Sequence, residues 1–196
     1  PYSHKPPLLF WLINASWSVF GLGVWPARIV GVGATVLVLI FTHCLDRCLA
    51  PKRSSGPALS ALMLLGLPLF IILGCSIMFD TLLAATVSGA MLALWIAGRS
   101  GDWRAFPAYG AAIGLGLLAK GPVVLLFTVP AALLGRYWIV PEHRARWFLR
   151  IGAALALGAL IGLAWALRAA SIGGPDYAEM LLWKQSAGRI TSSFAH

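Results

Sequence analysis

Residues 67–97, LPLFIILGCSIMFDTLLAATVSGAMLALWIA, contain a single charged side chain, Asp80, between two apolar runs. A helix needs about 20 apolar residues to cross the roughly 30 Å hydrocarbon core of a bilayer. The runs Leu59–Phe79 and Thr81–Ala97 are close to that length, so the pattern predicts two membrane helices with Asp80 in the turn between them. We expect an isolated carboxylate at a membrane boundary to have a function.

The composition is that of a membrane protein. Hydrophobic residues make up 60% of the 196 residues and charged residues 11%, whereas soluble domains are about one quarter charged. The net charge of +9 does not indicate nucleic-acid binding, because the basic residues lie in short loops between apolar runs. We therefore predict an all-α integral membrane protein, a multi-helix transmembrane bundle that contacts membrane lipids and no nucleic acid.

Three further apolar stretches extend this bundle. Ile29–Leu49 and Ile151–Ala169 are long enough to span a membrane. Leu8–Val24 begins after two prolines, is closed by Gly21 and Gly23, and carries tryptophans suited to the headgroup zone. We interpret it as a helix lying at the outer interface, with a true span as the alternative.

Two shorter apolar runs, Pro107–Ala119 and Pro122–Leu134, meet at the hinge Lys120-Gly121. Each run reaches only about 20 Å, so we expect the hinge to lie at or below the outer membrane surface. Broken backbone at that depth lines a cavity or is buried in protein. Lys120 is then a cation beside a cavity, and a lysine that snorkels from a helix end is the alternative.

Two other patterns predict packing rather than chemistry. Small residues spaced Gly-x-x-x-Gly occur at 110/114 and 158/162, and this spacing allows close helix contact. Cys44 and Cys48, one helical turn apart and next to His43, have the look of a metal cluster. No second pair of ligands follows them, so we interpret both as packing residues.

The basic residues set the orientation. Nine of the 15 Lys and Arg residues lie in three short loops on one side of this threading, which predicts that side to be cytoplasmic. Lys5, Asp80, Lys120 and Arg189 then share the outer side. Three cations near one outer pocket suit a phosphate. For Asp80 the alternative is a simple N-cap of a helix that begins at Thr81.

Several short stretches occur in an order that resembles a known family. They are similar to the aminoarabinose-transferase-like branch of the polyprenyl-phosphate-dependent glycosyltransferases, in the protein O-mannosyltransferase superfamily. The stretches are KPPLLFWL at 5–12, FG at 20–21, AR at 27–28, MFDTLL at 78–83, AKGP at 119–122, WKQSAGR at 183–189 and SFAH at 193–196.

The resemblance implies a GT-C fold with an outward-facing site, in a bacterial inner membrane. The implied donor is a sugar on a polyprenyl phosphate, and the implied acceptor is a lipid, glycan or protein, as in the modification of lipid A or another cell-envelope component. All residues then belong to one transmembrane domain. Residues 1–28 form the end of the first outer loop and the interfacial helix, 29–169 the membrane helices with a hinge at 119–122, and 170–196 an outer loop.

Site roles follow from the same resemblance, position by position. Lys5 and Arg189 are implied as ligands of the donor phosphate. Lys120 is implied as the buried cation of the site, and Asp80 as its second, supporting acidic residue. The implied reaction is a direct displacement of polyprenyl phosphate by the acceptor.

The chain departs from the family pattern in two ways. The family's main catalytic carboxylate lies upstream of the Lys-Pro-Pro motif, so we expect this chain to be an inactive internal fragment. His4 stands where the aminoarabinose transferase has an acidic residue, which leaves the sugar and the use of a divalent metal open. We include His4 and His196 among the substrate-binding residues.

Two other functions fit part of this sequence pattern. A membrane transporter or flippase for an anionic or lipid-linked substrate also has broken helices and intramembrane charges. It predicts a repeat between the halves of the chain, which the sequence does not show. A non-catalytic membrane subunit would leave the boundary charges unrelated to one another.

Overall fold

The computed structural model of the chain describes residues 5–50, 59–139 and 144–173. Within these ranges the chain is helical and contains no strand. In chain order the helices are α1 (Leu8–Phe20), α2 (Val24–Leu49), α3 (Leu59–Leu65), α4 (Pro68–Gly74), α5 (Phe79–Ser100), α6 (Ala105–Lys120), α7 (Val123–Leu133), α8 (Gly135–Trp138) and α9 (Arg144–Gly173).

Within the described residues, three helices are long and apolar enough to cross a membrane, namely α2, α5 and α9 over Arg146–Ile172. Large apolar side chains remain exposed on their outer faces, as expected where lipid rather than water is the solvent. On α2 and α9 these include Val32, Val36, Ile40, Leu160, Leu163 and Leu167. The predicted all-α membrane bundle is confirmed. The boundaries drawn at 28/29 and 169/170 fall inside α2 and α9.

Helix α5 lies between α2 on one side and α6 and α7 on the other. Helices α2 and α5 run parallel. Gly31 of α2 lies against the backbone of Ser76, just before α5, and Gly89 of α5 lies against Phe41, further along α2. Small residues at these points let the two helices approach closely.

Helix α6 runs antiparallel to α5 and returns the chain to the end of the bundle at which α5 begins. Gly101, at φ +67°, ends α5 in a left-handed conformation, and Asp102 accepts a hydrogen bond from the Arg104 backbone N–H at 3.0 Å. We call the end where α5 begins and α6 finishes the Asp80 end, and the opposite one the Arg104 end.

Both Gly-x-x-x-Gly motifs lie at close helix contacts, as their spacing predicts, and the structure shows that they face each other. Gly110 of α6 contacts the backbone of Ala154, and Gly158 of α9 lies against Ile113 and the Gly110 carbonyl. Further along, Gly114 meets Ile161. Contact points advance in the same direction on both helices, so α6 and α9 are parallel. They form one of the most extensive helix pairs in the described chain.

Helices α7 and α8 carry the chain from the Asp80 end back towards the Arg104 end. Ile139, just after α8, is fully buried and touches Gly98 near the end of α5. The Tyr109 hydroxyl of α6 donates to the Thr128 carbonyl of α7 at 2.8 Å. This buried hydrogen bond ties the two arms of the hinge together, in addition to their apolar contact.

The interpretation of Leu59–Phe79 as one continuous span is wrong. The segment forms two seven-residue helices, α3 and α4, separated by Gly66 and Leu67. Leu67 is extended, with φ −89° and ψ 110°, because a residue before proline is sterically excluded from the helical region. Pro68 then starts α4, where its missing N–H costs nothing.

The ends of α1 and α2 agree in part with the sequence. Helix α1 stops at Phe20 because Gly21 has φ +82°, a conformation that favours glycine. At 13 residues α1 spans about 20 Å, and its position at the interface stays a prediction. Cys44 is half-buried, but Cys48 is exposed, so the interpretation of Cys48 as a packing residue is wrong for the described chain.

Candidate active site

Asp80 lies in the first turn of α5 rather than before it. The helix begins at Phe79 with an extended Met78 as its N-cap residue, and the Thr81 hydroxyl donates to the Met78 carbonyl at 2.9 Å. The alternative in which Asp80 caps a helix beginning at Thr81 is therefore wrong. A carboxylate in the first turn is still favoured by the helix dipole.

Lys120 is the last residue of α6. Gly121 adopts φ +77° and ψ −153°, a combination that is essentially restricted to glycine, and its N–H donates to the Leu117 carbonyl at 2.9 Å. Pro122 follows and cannot continue the helix. The predicted hinge is thus present, and it places the lysine where the negative end of the helix dipole favours a cation.

Asp80 and Lys120 form an ion pair across the ends of α5 and α6. The two residues are 40 apart in sequence. The Lys120 side chain is 37% exposed and the Asp80 side chain 58%, so Lys120 is half-buried among the described residues. Helix α6 is long enough to bring the hinge out at the end of the bundle, beside the start of α5. A pair this exposed stabilises a fold by only about 0–1 kcal/mol.

Lys5 lies at the same end, in the segment before α1. Its ammonium Nζ lies over the ring of Phe79, 4.7 Å from the ring centroid. Phe10 of α1 packs edge-on against the same ring, with centroids 5.8 Å apart. Since Phe79 is the neighbour of Asp80, one aromatic residue joins the first lysine to the ion pair.

Three of the predicted site residues, Lys5, Asp80 and Lys120, are thus placed at one end of the bundle. Predicted residues His4, Arg189 and His196 lie outside the described residues. Sequence reasoning assigned no role to Phe79, although an aromatic residue directly before an isolated carboxylate was a signal. Over the described ranges, no group of three His, Cys, Asp or Glu side chains is placed to hold a metal ion.

An apolar groove of about 730 Å³ opens along α5 and α6. Leu8 and Leu12 of α1 line it near the Asp80 end, and Arg104 lines it near the other end. Apart from Thr86, Gly89 and Asp102, its remaining lining is aliphatic or aromatic and comes from α2, α5 and α6. The groove is therefore suited to an extended apolar chain.

Residues 4–169 match the family model of dolichyl-phosphate-mannose-protein mannosyltransferases. The matched stretch contains Lys5, Asp80 and Lys120. The chain belongs to this family.

Curated relatives of the mannosyltransferase family agree with that match. An undecaprenyl phosphate-alpha-4-amino-4-deoxy-L-arabinose arabinosyl transferase of Pseudomonas aeruginosa (strain UCBPP-PA14) is 32% identical over 203 residues, covering 99% of this chain and 35% of the relative. The transferase of the same name from Edwardsiella ictaluri is 28% identical over 202 residues, with the same coverage. The chain spans about a third of the length of these relatives, 35% in both cases.

Solved structures in the same group show the fold. ArnT from Cupriavidus metallidurans in the apo state is 24% identical, with a TM-score of 0.74 over 93% of this chain and 34% of ArnT. The ArnT structure bound to undecaprenyl phosphate gives a TM-score of 0.76 at 23% identity, over 94% of this chain and 34% of ArnT. The predicted GT-C-type bundle is confirmed.

Proposed function

We propose that this chain is part of a membrane glycosyltransferase that moves a sugar from a polyprenyl-phosphate donor to a lipid, glycan or protein acceptor. One observation carries the proposal: Lys5, Asp80 and Lys120 meet at one end of the bundle. The family whose model matches this chain transfers sugars from lipid phosphates. Family membership supports sugar transfer over the transporter and scaffold alternatives.

The chemistry needs positive charge where the phosphate leaves. The acceptor oxygen attacks the anomeric carbon, the bond from that carbon to the phosphate oxygen breaks, and the phosphate keeps the electron pair. A general base takes the acceptor proton, and the resemblance implies a carboxylate upstream of Lys5 for this step. Fixed cations aimed at the developing charge lower the barrier.

The two lysines supply this charge in the proposed site. The Lys120 ammonium has three N–H donors, so it can remain bonded to Asp80 and still donate to a phosphate oxygen. Asp80 thereby sets the direction of Lys120. Arg189, which would add a bidentate contact, stays a predicted third cation.

The apolar groove supports a lipid-linked donor. It starts at Leu8 and Leu12 of α1, the helix preceded by Lys5, and runs towards Arg104. A polyprenyl chain in the groove would keep the phosphate at the Asp80 end. The relatives' names, with undecaprenyl phosphate in each, support this donor class.

The charge distribution supports an extracytoplasmic site in a bacterial inner membrane. Arg47 and Arg99 lie in the last turns of α2 and α5, and Arg104 is the N-cap residue of α6, all at the end opposite Asp80. Basic residues in short loops mark the cytoplasmic side. The curated relatives are bacterial proteins.

The proposal predicts that Lys5→Ala and Lys120→Ala each reduce sugar transfer in the full-length enzyme by about 100-fold or more, as loss of a preorganised charge does. The measurement is transfer from a polyprenyl-phosphate sugar in proteoliposomes. Arg168→Ala is the matched control, because Arg168 is an exposed cation on α9 with no role in the proposed site. Wild-type turnover in both lysine variants would contradict the phosphate site. Movement of the donor across the bilayer without transfer would favour a flippase.

A further inference from the structure

The contact between Phe79 and Lys5 at the Asp80 end has no role in the function proposed above. The Phe79 ring faces the Lys5 ammonium at 4.7 Å, within the range in which an aromatic face attracts a cation. Lys5 is exposed and precedes the first described helix, so helical hydrogen bonds do not restrain its backbone. A long, flexible ammonium side chain in such a place needs a partner to hold one position.

The Phe79 ring is half-buried. It packs against the buried cluster formed by α1, α2, α5 and α6, which includes Leu9 and Ile13 of α1. Phe10 contacts it edge-on, an arrangement that aromatic pairs prefer. Since Phe79 and Asp80 are consecutive residues in the first turn of α5, the position of the ring is fixed relative to the Asp80–Lys120 pair.

The ring and the carboxylate hold their lysines in different ways. Asp80 compensates the charge of Lys120 with a charge of opposite sign. The Phe79 ring attracts Lys5 through its quadrupole. Because the ring has no net charge, it does not neutralise the positive charge of Lys5. A lysine held in this way is preorganised for an anionic ligand, and no carboxylate among the described residues is paired with it.

We propose that Phe79 is a positioning residue, which holds the Lys5 ammonium beside the Asp80–Lys120 pair for the phosphate of the donor. The proposal rests on the function proposed above. It is distinct from a purely structural role, in which Phe79 only packs α1 on α5. The structural role requires a side chain of suitable size, whereas the positioning role requires an aromatic face and acts through Lys5.

A double-mutant cycle in the full-length enzyme separates the two roles. The variants are Phe79→Leu, Phe79→Tyr and Lys5→Ala, with Phe79→Leu also made in the Lys5→Ala background. We expect Phe79→Leu to lower kcat/KM for the donor by about five- to tenfold, as loss of a partly exposed cation–π contact does. Phe79→Tyr, which keeps the ring, should retain most of kcat/KM. In the Lys5→Ala background, Phe79→Leu should have no further effect.

Phe70→Leu is the matched control, because Phe70 packs against the same cluster without the contact to Lys5. Phe70→Leu should change kcat/KM by the same factor with and without Lys5. Thermal unfolding of each variant measures the loss of packing. The positioning role is overturned if Phe79→Leu costs the same factor with and without Lys5, or if Phe79→Tyr loses as much as Phe79→Leu at an unchanged Tm.

Failure of the proposed function has a different signature. If the wild-type enzyme transfers no sugar, the same cycle is measured on the binding of undecaprenyl phosphate. Coupling between Phe79 and Lys5 in that binding supports the positioning role without sugar transfer. Independent effects, or no binding by the wild type, overturn it.

Discussion

The two lysines at the Asp80 end have partners of different chemistry. Lys120 contacts the carboxylate of Asp80, and Lys5 contacts the aromatic ring of Phe79. Both cations are accessible, so the bundle presents charge at its end rather than enclosing it. At the scale of single residues, each lysine contacts one of two neighbouring residues in the first turn of α5.

This geometry predicts the effect of removing the Asp80 charge. In Asp80→Asn the folded state loses an exposed ion pair, which costs only about 0–1 kcal/mol. Lys120 loses the partner that directs it, and we expect turnover to fall by about 10- to 100-fold, since small misplacements of catalytic groups have effects of that size. Thermal unfolding and sugar transfer, measured on the same full-length preparation, check both statements.

Asp46→Asn is the control for this substitution. Asp46 lies in α2 near the Arg104 end and is half-buried, so its neutralisation should leave turnover unchanged. Equal turnover in Asp80→Asn and the wild type would show that Asp80 serves only the stability of α5.

At the scale of elements, the hinge after α6 decides where Lys120 lies. The Gly121 backbone has φ +77°, and a β-carbon built on it meets nothing within 4 Å. The glycine is therefore required by backbone conformation and not by lack of space. Pro122 then sets the start of α7, so two residues reverse the chain at the Asp80 end.

Gly121→Ala should destabilise the protein by about 1–3 kcal/mol through backbone strain alone. Because the strain is relieved by shifting the end of α6, we also expect a loss of sugar transfer through the displacement of Lys120. Gly152→Ala is the matched control. Gly152 lies inside α9 with open space around it and an ordinary φ, so alanine there should be neutral or stabilising. Equal stability of the two variants would argue against strain at the hinge.

Local sequence patterns predicted some of the observed helices and failed for others. The apolar runs predicted α2, α5 and α9, and the Lys120-Gly121-Pro122 sequence predicted the break between α6 and α7. The prediction failed at α3 and α4, where hydropathy continues through Gly66 and Pro68 although the helix does not. Hydropathy measures the solvent that a segment prefers, whereas the break depends on steric restrictions around one proline.

At the scale of the whole molecule, the bundle depends on glycines that bring α6 and α9 together. A β-carbon at Gly158 would lie 2.9 Å from Ile113 Cγ2 and 3.0 Å from the Gly110 carbonyl oxygen. The latter contact is with backbone, which cannot move aside as a flexible side chain can. Added volume at Gly158 would therefore push the parallel helices α6 and α9 apart.

Gly158→Leu should destabilise the protein by about 1–3 kcal/mol, the usual cost of overpacking. Gly33→Leu in α2 is the control, since a β-carbon at Gly33 meets nothing within 4 Å. Thermal unfolding in detergent micelles or nanodiscs measures both. A similar Tm for the two variants would contradict close packing of α6 on α9.

The sequence by itself determined the class of the protein, the three long membrane helices, the hinge and the placing of isolated charges at helix ends. These features follow from local properties, namely hydropathy, glycine and proline conformation, and the cost of charge in lipid. Only the tertiary structure decided which of these charges meet. Asp80 and Lys120 are 40 residues apart, and their contact requires α6 to pack antiparallel on α5 with matching length. The Phe79–Lys5 contact requires α1 to pack at the start of α5, because a ring can hold a cation only where helix packing brings the two together.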